Sequence, residues 1–411
     1  MKKRTAIIIL ILTIALGSGI LYFLLGGKAP NGLPLIPGLP FGNAPEDVLP
    51  GDGTGVGEGS TSTTTDSGEP TGSSGVPMSA FVRLSDEPVA GATIVLKNKM
   101  PLVRFVERAT GHVYESNLET GEKVKIINTT RPQIYKALWK EDALGFLERT
   151  VVGGSDSVMN TSVSLTAPKS TSTDTLYTMK STLLEGEVGE IALLTNGSLI
   201  YTLKEGAGIY TSGFAGDKPK LALISDFKSW LIQPISNTSI LLSTKPSSKA
   251  EGYVYNLNLN TGGLTKLVGP LTGLTALANS DGKRLLYANV TGGQVALTAQ
   301  NLTTKTSTNI LPATLPEKCV WSKLVSSIII CGVPAGGLGL DVPDLWYQGV
   351  TDYTDKIWKF NADTNTAEVL LDPKSEFGDE IDLINPILDT SEKYLVFTNK
   401  KDLSLWVFKF D

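Results

Sequence analysis

Histidine and cysteine are almost missing from this chain. Its 411 residues include one histidine, His112, and two cysteines, Cys319 and Cys331. A Ser–His–Asp relay or a histidine-ligated metal needs imidazoles that the sequence does not supply, unless His112 served alone. His112 follows Thr110-Gly111 and reads as a turn-flanking residue at the start of a strand. The cysteines lack the further ligands a metal site needs, so no metal site is expected. No G-x-S-x-G elbow, P-loop or dinucleotide fingerprint occurs, and no motif implies a cofactor or names a catalytic residue. Runs of basic residues are also lacking. The net charge is −5. Residues 1–78 account for −2, from Lys2, Lys3, Arg4 and Lys28 against Glu46, Asp47, Asp52, Glu58, Asp66 and Glu69. The near-neutral remainder argues against nucleic acid or anionic lipid as the main partner.

What is present begins at the N-terminus. Lys2, Lys3 and Arg4 precede Ala6–Leu25, a stretch without charge or proline. A helix of that length rises roughly 30 Å, about the thickness of the bilayer's hydrocarbon core. The positive-inside rule then leaves residues 1–5 as a cytoplasmic stub, makes 6–25 a membrane-spanning signal anchor, and sends the rest outside. A cleaved signal peptide is the alternative, with Gly17-Ser18-Gly19 as the break, although Ile20–Leu25 resumes the apolar run. Residues 26–78 are rich first in Pro and Gly, then in Gly, Ser and Thr. They show no apolar period and read as a flexible linker with a reach of about 40 Å. An extracellular Pro-rich ligand motif is the other reading.

From Ser79 to Asp411 the sequence is all-β. Short runs of β-branched and aromatic residues alternate with Gly, Asn, Asp and Thr-Gly turns, and no clean helical period appears. A larger unit repeats: His112–Gly121, Tyr253–Gly262 and Lys356–Asn365 each form a strand ending in a polar Asn-x-x-Thr-Gly-like turn. Each is flanked by further strands, with turns such as Leu138-Trp139-Lys140 or Val320-Trp321-Ser322-Lys323. Four-stranded units at ~40–50 residues signal a β-propeller. The hh-Y-x-x-x-L-x-T-G and W-S-x-x patterns resemble the WD-like repeats of TolB-type propellers, found in bacterial periplasmic proteins and beside some peptidase domains. That resemblance implies a propeller domain over 79–411 in a cell-envelope protein. The hydrolase domain of the peptidase relatives has no counterpart here. Units start near Ala92, Pro132, Gly189, Ser229, Leu271, Glu317 and Ile381. The last offers three strands, so Ala80–Leu84 is expected to complete it and close a seven-bladed ring. Six blades is the main alternative, because Thr150–Val188 is irregular, and an array of two β-sandwiches is a third.

Cys319 and Cys331 flank a turn near Leu324–Ser326, equidistant from Val325. Antiparallel pairing would set them opposite each other as a disulfide, the expected state outside the cytoplasm; two buried thiols is the other reading. A long insertion follows Cys331. Its Trp346, Tyr347, Asp352 and Tyr353 are the candidate binding residues, since long loops carry function and Trp and Tyr favour hot spots. Alternatively these rings plug the loop onto its own blade as a small satellite core. Carboxylates cluster in Asp341–Asp355 and Glu376–Asp382, where a glycosidase pair is conceivable, and in the second also a calcium site. Gly153–Thr175, Ser/Thr/Gly-rich, is a second insertion, and six Asn-x-Ser/Thr sequons are explained mostly by chance. The leading expectation is a non-enzymatic binding or scaffolding module held at the membrane through residues 6–25. Its partner would be another envelope protein or a glycan. A carboxylate-dependent carbohydrate-active enzyme and an accessory subunit of an envelope assembly or transport complex are the alternatives.

Overall fold

Among the described residues the apolar runs fold into 28 strands, arranged as seven four-stranded antiparallel sheets. The computed structural model describes residues 80–153, 157–169 and 176–410. The stub 1–5, the anchor 6–25 and the linker 26–78 lie outside the described residues, as does part of the second insertion. Among the described residues no helix is long and apolar enough to cross a membrane.

Blade 1 is β2–β5 (residues 89–127), blade 2 β6–β9 (134–183) and blade 3 β10–β13 (188–223). Blade 4 is β14–β17 (230–272), blade 5 β18–β21 (275–310) and blade 6 β22–β25 (319–371). Blade 7 joins β26–β28 (383–409) to β1 (Phe81–Ser85). The irregular stretch after Thr150 contributes the two outer strands of blade 2, Val158–Thr166 and Thr178–Leu183, so the count is seven rather than six.

The first segment after the linker closes the ring. Phe81 pairs with Phe408 and Val82 with Val407, and the Phe81 ring stacks on Trp406 at 4.8 Å. Closure removes the sheet edge that would otherwise stand open between the last blade and the chain's start.

Second strands are largely buried on both faces because each blade is sandwiched between two others. Ser239–Thr244, for example, is buried from Ile240 onward. The recurrent polar turn has a specific cause. Asn117, Asn258, Asn301 and Asn361 each accept two backbone N–H bonds, from the residues two and three positions ahead. The fifth position is then left-handed: Gly121, Gly262, Lys305 and Asn365 have φ of 74°, 69°, 63° and 53°. Glycine is the cheapest residue at that position, which explains the Thr-Gly signature and its variants.

Tryptophans at the end of innermost strands tie blades together. Trp139 Nε1 donates to the Gly91 carbonyl and Trp321 Nε1 to the Leu277 carbonyl, each at 3.2 Å, both in the preceding blade. The Cys319–Cys331 disulfide is formed, and the two residues are direct partners in the β22–β23 ladder.

In an antiparallel meander, the connection between second and third strands and the one leading to the next blade lie on the same side of the ring. That side carries the blade 6 insertion and most of the longer connections and is called the loop face below; the opposite side, apart from the β8–β9 connection, carries the tight turns.

Candidate functional site

The insertion after Cys331 rises from the loop face of blade 6, between β23 (Ile328–Pro334) and β24 (Asp355–Asn361). A short helix, Asp344–Tyr347, sits at its centre. Trp346 on this helix is fully buried and Tyr353 is 7% exposed. Both join Leu315, Leu338, Val342 and Ile384 in one apolar cluster. Of the four candidate binding residues, then, two are inside the protein. Tyr347 is half-buried and its hydroxyl donates to Glu317. Only Asp352 is exposed, 3.4 Å from Lys401 Nζ. The insertion does form a satellite core, but across the seam to blade 7, since Ile384 belongs to β26 (Leu383–Leu388).

Under this apolar cap lies a buried ionic cluster. Lys318 Nζ is 2.7 Å from Asp355 Oδ2 and bonds Asp382, with all three side chains sealed from solvent. Trp346 Nε1 donates to Asp382 Oδ2 at 3.1 Å, and the Tyr353 and Leu383 backbone N–H groups donate to Asp382 and Asp355. Lys318 also lies 5.3 Å from the Trp346 ring centroid and 5.4 Å from that of Tyr353. Burial, aided by the negative charge of Asp382 and opposed by Lys318, raises the Asp355 carboxyl to about 6. Burial and the same two carboxylates raise the Tyr353 hydroxyl to about 12. Burial lowers Lys400, whose ammonium stands 5.3 Å from the Trp346 ring centroid.

The sequence singled out Trp346 and Tyr353 by their aromaticity but gave no sign of Lys318, which looks like any surface lysine beside Glu317. Its only local signal is the position, immediately before an innermost strand.

The acidic segments are largely committed to structure. Asp344 accepts from the Ser248 backbone N–H in blade 4, anchoring the insertion past the intervening blade 5. Glu380 bonds Lys374 and Lys401, and these bonds hold its carboxyl down at about 2. Asp372 caps the helix Pro373–Phe377 by accepting from Ser375 N–H. No grouping of three or more His, Cys, Asp or Glu suited to a metal occurs among the described residues.

Besides the polar Asp341, Gln348 and Asp352, the insertion holds two large apolar side chains out to solvent. Leu340 is 73% exposed and Val350 69%. Elsewhere on the loop face, Leu311 is 63%, Ile224 73% and Phe227 53% exposed, in the connections that lead into blades 6 and 4. On the tight-turn face an open groove of about 500 Å³ runs between blades 3 and 4, lined by Ser198, Lys218, Lys220, Asn237 and Asn260.

No protein-family model and no curated protein sequence matches this chain. Among solved structures it is similar to TolB from Acinetobacter baumannii, at 11% identity and a TM-score of 0.41. That alignment covers 76% of this chain and spans 64% of TolB. It is also similar to an oligogalacturonate lyase in complex with manganese, at 11% identity and a TM-score of 0.48, covering 79% of this chain and 97% of the lyase. Virginiamycin B lyase from Staphylococcus aureus gives 12% identity and a TM-score of 0.47, covering 80% and 98%. At these identities and TM-scores the likenesses carry no argument about activity, and the fold rests on the strand topology itself.

Proposed function

We propose that the protein is a membrane-tethered, extracytoplasmic seven-bladed propeller that binds another envelope protein or a glycan through its loop face, without catalysing a reaction. The carrying observation is the insertion of blade 6. It is fixed at Trp346, Asp344 and Tyr353 against three blades, yet holds Leu340 and Val350 out to solvent. A rigid loop loses little conformational entropy on association, and this favours binding. The disulfide fits an oxidising compartment, and the cation-flanked apolar run of residues 6–25 supplies an anchor reaching it. Hydrolysis by a carboxylate pair would need two acids open to substrate. Asp355 and Asp382 are instead sealed around Lys318.

The test is a pull-down from gently solubilised envelopes with the full-length protein beside a Leu340→Asp/Val350→Asp variant. Both positions are on the surface, so the variant keeps its fold, unlike any truncation of Trp346. A partner or glycan recovered with the wild type and reduced about tenfold or more with the variant supports the reading. Equal recovery moves the contact off the insertion, and protection of the domain from protease added to intact cells refutes the topology.

A further inference from the structure

A second concentration of half-buried charge lies across the ring, at the inner edges of blades 1 to 3. The register of β6 (Ile134–Trp139) against β7 (Gly145–Val151) shifts between Ile134 and Lys136, which leaves Tyr135 as a bulge. The next innermost strand, β10 (Val188–Leu193), shifts between Val188 and Ile191, so that Gly189 and Glu190 bulge at nearly the same level. Both bulges stand near the start of an innermost strand, at its loop-face end. Bulges re-aim side chains and are frequent at barrel rims and functional sites.

Cations converge on Tyr135. Arg149 is 7% exposed, and its guanidinium carbon lies 5.7 Å from the Tyr135 ring centroid. Its N–H groups donate to Asn160 Oδ1 at 3.1 Å and to the Gly189 carbonyl at 2.7 Å, both neutral acceptors. Lys136 is the direct ladder partner of Arg149, so the two side chains share a sheet face. Arg108, from the loop after the second strand of blade 1, donates Nε to the Ile134 carbonyl at 3.3 Å. Among the described residues no carboxylate lies within 4.0 Å of these three cations.

The nearby acids are mostly spoken for. Glu148 pairs with Arg131 at 2.9 Å, and Glu107 accepts from the Thr110 hydroxyl at 2.9 Å. Glu190 alone has an uncommitted carboxylate, and its field reaches Lys136 and Tyr135. Two guanidiniums and an ammonium therefore share one such group. Burial pulls both Arg108 and Lys136 below their ordinary values, as happens when a charge leaves water without full compensation. Buried cations are ordinarily paired, so this arrangement carries a standing cost in a protein whose overall charge is negative.

We propose that Arg108, Lys136 and Arg149, gathered around Tyr135, bind the oxyanion group of an acidic ligand, a carboxylate or a phosphate. The entering group supplies the countercharge. Guanidinium forks match the planar or tetrahedral oxygens, and the Tyr135 hydroxyl adds a neutral donor. Glu190 opposes the ligand and competes with it for Lys136. This deepens the binding reading by naming the ligand's chemistry, and it relies on that reading only in taking the loop face as the working face.

The experiment is calorimetric titration of the full-length protein, in a neutral detergent at fixed ionic strength, with inorganic phosphate and separately with succinate. At least one probe is expected to bind saturably, with Kd near about 1 mM or tighter. Arg108→Gln and Lys136→Gln each weaken that binding ~10-fold, while Glu190→Gln strengthens it several-fold. The last variant removes a charge without adding a contact, so a purely structural cluster would not show it. A response to phosphate alone identifies a phosphate-bearing ligand, and one to succinate alone a carboxylate. The proposal is overturned if neither probe gives saturable heat with wild type or Glu190→Gln up to about 10 mM, or if all variants bind equally. Because no envelope partner enters this measurement, its failure is distinct from a failed pull-down.

Discussion

Asp355 shows how much a single residue's position decides. In sequence it is one acid among several between Asp341 and the start of a strand, and the sequence suggests at most a catalytic role for the group. In the fold it is sealed against Lys318 and Asp382, and burial lifts its carboxyl to about 6. The unfolded chain releases that proton near 3.9. Between these values the folded form holds a proton that the unfolded form has lost, so this group's contribution to stability rises as pH falls from above 6 toward 4. Asp355→Asn should abolish that component. Urea unfolding at pH 7.5 and 4.5 is expected to show wild type gaining on the variant by up to roughly 2 kcal/mol at the lower pH. A difference between the two proteins that does not change with pH would mean that Asp355 is ionised throughout. Glu380, held low at about 2 by two lysines, pulls the other way in both proteins and cancels in the comparison.

At the scale of elements, the hairpin of β22 (Cys319–Trp321) and β23 was the most legible part of the sequence. Equal spacing about Val325 placed Cys319 opposite Cys331, and the ladder pairs them directly. Replacing both with serine should lower stability by ~2–3 kcal/mol in the chain-entropy account while leaving the propeller intact. The readouts are a linked Cys319–Cys331 peptide in non-reducing mass spectrometry and a lower denaturation midpoint in the variant. Two free thiols in exported wild-type protein would sink this point. The insertion was less legible. Its length marked it as unusual and its rings were visible, but whether Trp346 faced solvent or the seam with blade 7 depended on Leu315 and Ile384, which lie in other segments. The bulges at Tyr135 and Glu190 left no mark at all, because register shifts depend on the partner strand.

Ring closure belongs to the whole molecule. β1 is linked to β28 (Leu405–Lys409) only through space, yet it provides the outer strand of blade 7 and buries Phe81 and Leu84. Deleting residues 80–85 should cost roughly 3–6 kcal/mol from these side chains alone, and leaves β28 as an open edge. The truncated chain is expected to aggregate or to lose its sharp unfolding transition, as read by size exclusion and a denaturant titration. A monomer that unfolds as cooperatively as the full-length protein would show that the closing strand is dispensable.

The sequence by itself pointed to the repeat, to blade starts near Ala92, Pro132, Gly189, Ser229, Leu271, Glu317 and Ile381, each within about four residues of the strand that opens the blade, to the disulfide and to the closing strand. Each of these rests on local chemistry: alternation of apolar residues, an asparagine that bonds its own turn, a glycine where φ is positive, two cysteines equally spaced from a bend. Only the tertiary structure decided which charges meet. Lys318, Asp355 and Asp382 come from three separate segments. Arg108, Lys136 and Glu190 come from three different blades, and no periodicity along one strand records what the neighbouring blade brings to its edge.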